Sequence, residues 1–103
     1  MKPETRQAKV DEIIVKSKVK AKKETTIELK GKLGDTGWQF SEEQINIDKN
    51  LNRVGIILII NKKRNIVGLD VITDYSKEVV VVFPHKGMWK VKCNNTEIDV
   101  DVL

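Results

Sequence analysis

Along most of this chain apolar and polar residues alternate one by one, and no other feature restricts its fold as strongly. In "IIVKSKVKAKK" (13–23), Ile13, Val15, Ser17, Val19 and Ala21 fall on one face and Lys16, Lys18, Lys20 and Lys22 on the other. A period of two describes an extended strand with one buried face, not a helix. "TTIELKGKL" repeats the pattern and turns Thr25, Ile27, Leu29, Gly31 and Leu33 inward. Further runs follow: "VGIILII", "NIVGLDVIT", "KEVVVVF", "GMWKVKC" and "TEIDVDVL". All are rich in β-branched residues and separated by short polar turns, which gives about seven strands.

The turns agree with that division. "NKKRN" (61–65) joins two apolar runs, and Asn94 and Asn95 tolerate the positive φ of a tight hairpin. The longest connection, 34–53, admits two readings. Ser41 and Gln44 have capping-box spacing for one short helical turn near 41–45, whereas Ile45 and Ile47 alternate as in a short strand. Strands this short and numerous predict an all-β antiparallel sandwich or barrel. Residues 1–9 read as a flexible N-terminal segment and 10–103 as a single domain.

One domain of 103 residues can bury a core without staples. Its single cysteine allows no internal disulfide, which slightly favours a reducing cytoplasm. "MKPETRQAKV" lacks the apolar stretch of a signal peptide, and "VGIILII" is far too short to span a membrane as a helix. Membrane insertion is therefore not expected.

"HKGMWKV" resembles the corner before the penultimate strand of immunoglobulin-like sandwiches, where an inward aromatic follows a glycine by two residues. Trp89 takes the aromatic's place and Val91 that of the disulfide cysteine. "VKAKKETTIELKGKL" is similar to the first two strands of such domains. The resemblance implies an immunoglobulin-like sandwich of about seven strands. It departs from the pattern in having no paired cysteine. It also has no tyrosine hydroxyl at the corner, although the indole N–H of Trp89 can reach a carbonyl.

The same stretch gathers the only histidine and the only cysteine, yet it does not make a chemical site. A blue-copper centre needs two histidines. His85 and Met88 make half a soft-metal site at most. Strand parity turns Trp89, Val91 and Cys93 inward, so Cys93 reads as a small buried hydrophobe and His85 as a solvated loop residue. Ser17, Ser41 and Ser76 lie in no nucleophile motif, the adjacent Glu42 and Glu43 are not a facing pair, and Asp99 and Asp101 read as an exposed edge. No phosphate-binding glycine loop occurs. The expectation is a non-catalytic module without metal or cofactor.

Two surfaces remain as candidates. "VGIILII" and "VVVVF" are apolar on both faces, so Ile57, Ile59, Val80 and Val82 need a cover: the 34–53 connection, a second copy in a homodimer, or a partner. If successive turns alternate between the two ends of a sandwich, Lys20, Lys22, Lys23, Lys62, Lys63, Arg64 and Lys86 gather at one pole. Such a pole attracts another protein's acidic surface. A formal net charge of +4 permits an anionic partner without requiring one. Two alternatives stand beside the interaction module. One is a small basic barrel binding single-stranded nucleic acid, with Trp38 and Tyr75 as the residues available for stacking. The other is a proteinase inhibitor presenting "GDTGWQF" as its loop.

Overall fold

The computed structural model describes residues 4–16, 18–34, 37–62 and 72–103. Among these residues eight strands follow one another: β1 Glu4–Gln7, β2 Glu12–Val15, β3 Glu24–Leu33, β4 Trp38–Asp48, β5 Arg53–Lys62, β6 Thr73–Val82, β7 Gly87–Cys93 and β8 Thr96–Val102. They form two sheets. One has the order β2-β3-β6. In the other, β5 carries β4 along one edge and shares its second edge between β7, beside Arg53–Ile56, and β1, beside Ile59–Lys62; β8 lies outside β7.

The alternation in the sequence is the cause of the core. On β3, Thr25, Ile27, Leu29, Gly31 and Leu33 all face inward and are buried, as their parity predicts. Val54, Ile56, Leu58 and Ile60 from β5 meet Val79 and Val81 from β6 in the same cluster. Trp89, Val91 and Cys93 are fully buried, and the Trp89 indole N–H donates to the carbonyl of His85 at 3.0 Å.

Four expectations are corrected. Residues 41–45 make no helical turn; they lie inside β4, as the alternation of Ile45 and Ile47 allowed. Residues 4–9 are not a flexible lead, because β1 pairs with β5 and Ala8 is buried. The break expected at 74–76, between "NIVGLDVIT" and "KEVVVVF", falls within the continuous β6. The pairing is not wholly antiparallel: β5 and β7 run parallel, as does the isolated bridge between Val19 and Val102. In an immunoglobulin variable-type sheet the strand beside the penultimate one is the earlier member of its hairpin, and the later member lies outside it. Here the later one, β5, takes that place and β4 lies outside.

The first strand therefore changes sheets between β1 and β2, and asparagines clasp the crossing. The Asn94 amide donates to the carbonyls of Ala8 and Leu58 and accepts from the Leu58 N–H at 3.1 Å. It thus fills the gap between β1 and β7 along β5. The Asn95 amide makes both halves of a strand-like pair with the backbone of Val10, at 2.8 and 3.0 Å, and Thr96 adds a hydroxyl donor to the Val10 carbonyl. Asn94 has a φ of 51°, a left-handed value that asparagine tolerates. The Tyr75 hydroxyl donates to the carbonyl of Lys9. Gly31 leaves room for both groups, since a Cβ there would lie 2.6 Å from the Tyr75 oxygen and collide with Lys9.

Candidate interaction surfaces

Of the seven basic residues expected at one pole, the structure brings four together. The turn at 20–24 docks on the β6–β7 connection through the Lys22 N–H, which donates to the Phe83 carbonyl at 2.8 Å. That places Lys20, Lys22, Lys23 and Lys86 at one end. Lys62 is not among them. It closes β5 opposite Trp38, nine residues beyond Arg53, or about 30 Å away at the usual strand rise. Lys63 and Arg64 lie outside the described residues. The misplacement has a definite cause: treating 34–53 as one connection omits a strand, and each omitted strand reverses the end at which the next turn emerges.

Restoring β4 adds a turn to the basic end. The β4–β5 turn docks beside the β6–β7 connection, where Asn52 Oδ1 lies 2.7 Å from His85 Nε2. The Asn52 side-chain amide also donates to the Met88 carbonyl at 3.2 Å, and its own carbonyl accepts from the Lys90 N–H at 2.9 Å. His85 is thus held and half-buried, 4.9 Å from the Trp89 ring, instead of solvated. The end collects Lys20, Lys22, Lys23, Lys49, Arg53 and Lys86, all exposed, against the carboxylates Glu24, Asp48 and Asp101. Reading Ile45 and Ile47 as strand residues would have revealed Lys49 and Arg53 from the sequence. Lys22 has a φ of 66°, in the left-handed region where a lysine is disfavoured by roughly 1 kcal/mol or more.

The apolar candidates divide. Ile57 and Ile59 are half-buried on the outer face of the larger sheet, where Gln44 and Glu42 from β4 lie opposite them. The 34–53 connection thus covers them by pairing at the strand's edge, not by crossing the face. Val80 and Val82, 52% and 43% exposed, lie on the outer face of the other sheet. The two pairs point to opposite sides of the molecule and form no single patch.

Beside Val80 and Val82 runs a charged network. Glu28 and Glu78 are cross-strand neighbours of like charge, and Lys16 lies between them, bonded to Glu78 and 3.5 Å from Glu28. Glu78 draws the Lys16 pKa upward. The Ser76 hydroxyl, 3.0 Å away, and the ammonium groups of Lys16 and Lys30 hold the Glu28 carboxyl below its ordinary value. This arrangement neutralises the sheet face and offers no reactive group.

Trp38 and Tyr75, the two stacking candidates, are 7% and 9% exposed, with the Arg6 guanidinium 4.0 Å over Trp38. Residues 38–40 of the expected inhibitory loop belong to β4. Cys93 is buried, which pushes its thiol up to about 11. Among the described residues no three His, Cys, Asp or Glu side chains converge as metal ligands, and no helix is long and apolar enough to cross a membrane. No protein-family model, curated protein or solved structure matches the chain.

Proposed function

We propose that the chain is a non-catalytic interaction module on an immunoglobulin-like frame, and that its basic end meets an acidic surface of another protein. The supporting observation is the convergence of the turns at 20–24, 48–53 and 83–87, which assembles six cations from separate parts of the sequence. Clustered cations raise the local potential and speed association with an acidic partner. Lys22 adds to this, since a lysine occupies a backbone position that glycine or asparagine would fill with less strain. The frame reading rests on the β2-β3-β6 sheet and the Trp89 corner, with the exchanged β4–β5 order as its departure. A protein is favoured over single-stranded nucleic acid because the tryptophans and Tyr75 are buried and offer no stacking platform.

A triple variant, Lys22→Gly, Lys23→Ala and Lys86→Ala, tests the reading on heparin, a poly-glutamate surface and a single-stranded oligonucleotide. Salt-sensitive retention on poly-glutamate that falls in the variant, at an unchanged or higher Tm, is expected. Equal retention of variant and parent would reject the basic end as the binding surface. Preference for the oligonucleotide would transfer the reading to nucleic acid.

A further inference from the structure

The outer edge of β4 is built differently along its length. Among the described residues β4 pairs with β5 alone. Its first half carries devices that discourage a further strand: a register irregularity between Phe40 and Glu42, and a carboxylate, Glu43, on the core-facing side opposite Leu58. From Gln44 to Asp48 there is no lysine, no proline and no bulge. Ile45 and Ile47 lie opposite Ile56 and Val54, so they face the core side. Their partners are 1% exposed, yet they themselves are 38% and 43% exposed.

We propose that a second copy of this chain occupies this edge, with the two β4 strands pairing antiparallel about a two-fold axis at Asn46. The charge pattern of the edge selects both the occupant and the register. Side chains opposite each other in an antiparallel pair share a face, so only alternate registers are allowed. With Asn46 opposite its own copy, Ile45 of each chain lies opposite Ile47 of the other. In that register Glu43 of each chain faces Lys49, the first residue of the turn after β4, in the other. The flanking register with Ile45 at the axis sets Glu42 against Asp48, two like charges. The register with Ile47 at the axis sets Ile45 against Lys49 and carries Glu43 past the end of the partner's β4, without a charged neighbour. One self-complementary arrangement remains, with two isoleucine pairs inside two opposite-charge pairs, which is the pattern an isologous interface requires. It extends the larger sheet through the axis and brings four exposed isoleucines together.

Sedimentation of the intact 103-residue chain from about 1 to 100 micromolar tests this. A concentration-dependent dimer is expected. Glu43→Lys and Lys49→Glu should each weaken it by about tenfold or more, because each removes two symmetry-related pairs, and the two changes combined should restore it. Ile45→Lys with Ile47→Lys should give a monomer with the parent's circular dichroism. Should that double variant unfold, the charge exchange still decides, since both of its residues are exposed. A chain monomeric at every concentration overturns the proposal. So does a dimer that the charge exchange fails to restore, or one abolished by Ile57→Lys or Val80→Lys instead.

Discussion

The two flanks of this molecule are finished by different means. On one, backbone passes between the sheets: Val19 and Ala21 exchange hydrogen bonds with Leu103 at 2.9 Å, and the 8–11 crossing is fastened by Asn94, Asn95, Thr96 and Tyr75. On the other, the β4 and β6 edges face each other across side chains, such as the Phe40 and Tyr75 rings 5.2 Å apart. Polar side chains can close a sheet edge as fully as another strand does, provided that every donor finds an acceptor. Where they are missing, the edge stays available to another chain.

The largest effect should come from the core that both flanks share. Trp89→Ala should cost about 3–5 kcal/mol in denaturant unfolding, and native tryptophan emission should shift red as the chain unfolds. On the fastened flank, Asn94→Ala should cost about 2–3 kcal/mol by leaving the Leu58 N–H and carbonyl unpaired. Gly31→Ala should cost about 1–3 kcal/mol by displacing Lys9. Costs below about 0.5 kcal/mol in both variants would mean that the flanks do not differ as described.

Alkaline titration sharpens the contrast. Burial raises Cys93 to about 11 from an ordinary 9.0. Tyr75 rises to about 12 from 10.0, chiefly by burial and further by Cys93 and Asp11. Both stay protonated in the folded chain at pH values where the unfolded chain has lost those protons. The folded state then holds more protons, so stability must fall as pH rises above about 9. Lys16 acts in the same direction: its raised pKa contributes stability that is complete below 10.5 and lost above it. The denaturation midpoint should decline from pH 9 upward, and Cys93→Ala should flatten the first part of the decline. The smallest effect belongs to the open flank. Ile47→Thr should change stability by less than about 0.5 kcal/mol at concentrations where the chain is monomeric. Under the same conditions the amides of Ala8 and Val10 should exchange far more slowly than the outward-facing amides of β4.

The same division marks what the sequence discloses. β3, β7 and β8 were legible because each buries one face and burial writes a period of two into the residues, whereas β5, apolar on both faces, was legible as a β-branched run between turns. β4 was only half legible: both its faces reach water from Ser41 onward, so its composition carries little pattern and Ser41 with Gln44 imitates a helix start. β1 left no signal at all. "ETRQ" is polar, and what makes it a strand is a β5 edge some 55 residues later. The fate of Lys62 followed from the unread strand, not from any property of the lysine. The asparagine clasp joins residues 85 and 86 positions apart, beyond the reach of any local pattern.

That clasp also sets an order in time. Residues 4–10 leave the ribosome well before residues 94–96, whose side chains hold residues 8–10. At roughly 5–20 residues per second, the early segment waits between about 4 and 17 seconds for them. Once residues 53–62 emerge β1 has its β5 partner, but the crossing at 8–10 still lacks the side chains that clasp it. Until Asn94 and Asn95 emerge the crossing between the two sheets stays unfastened, so this clasp is among the last features of the fold to close.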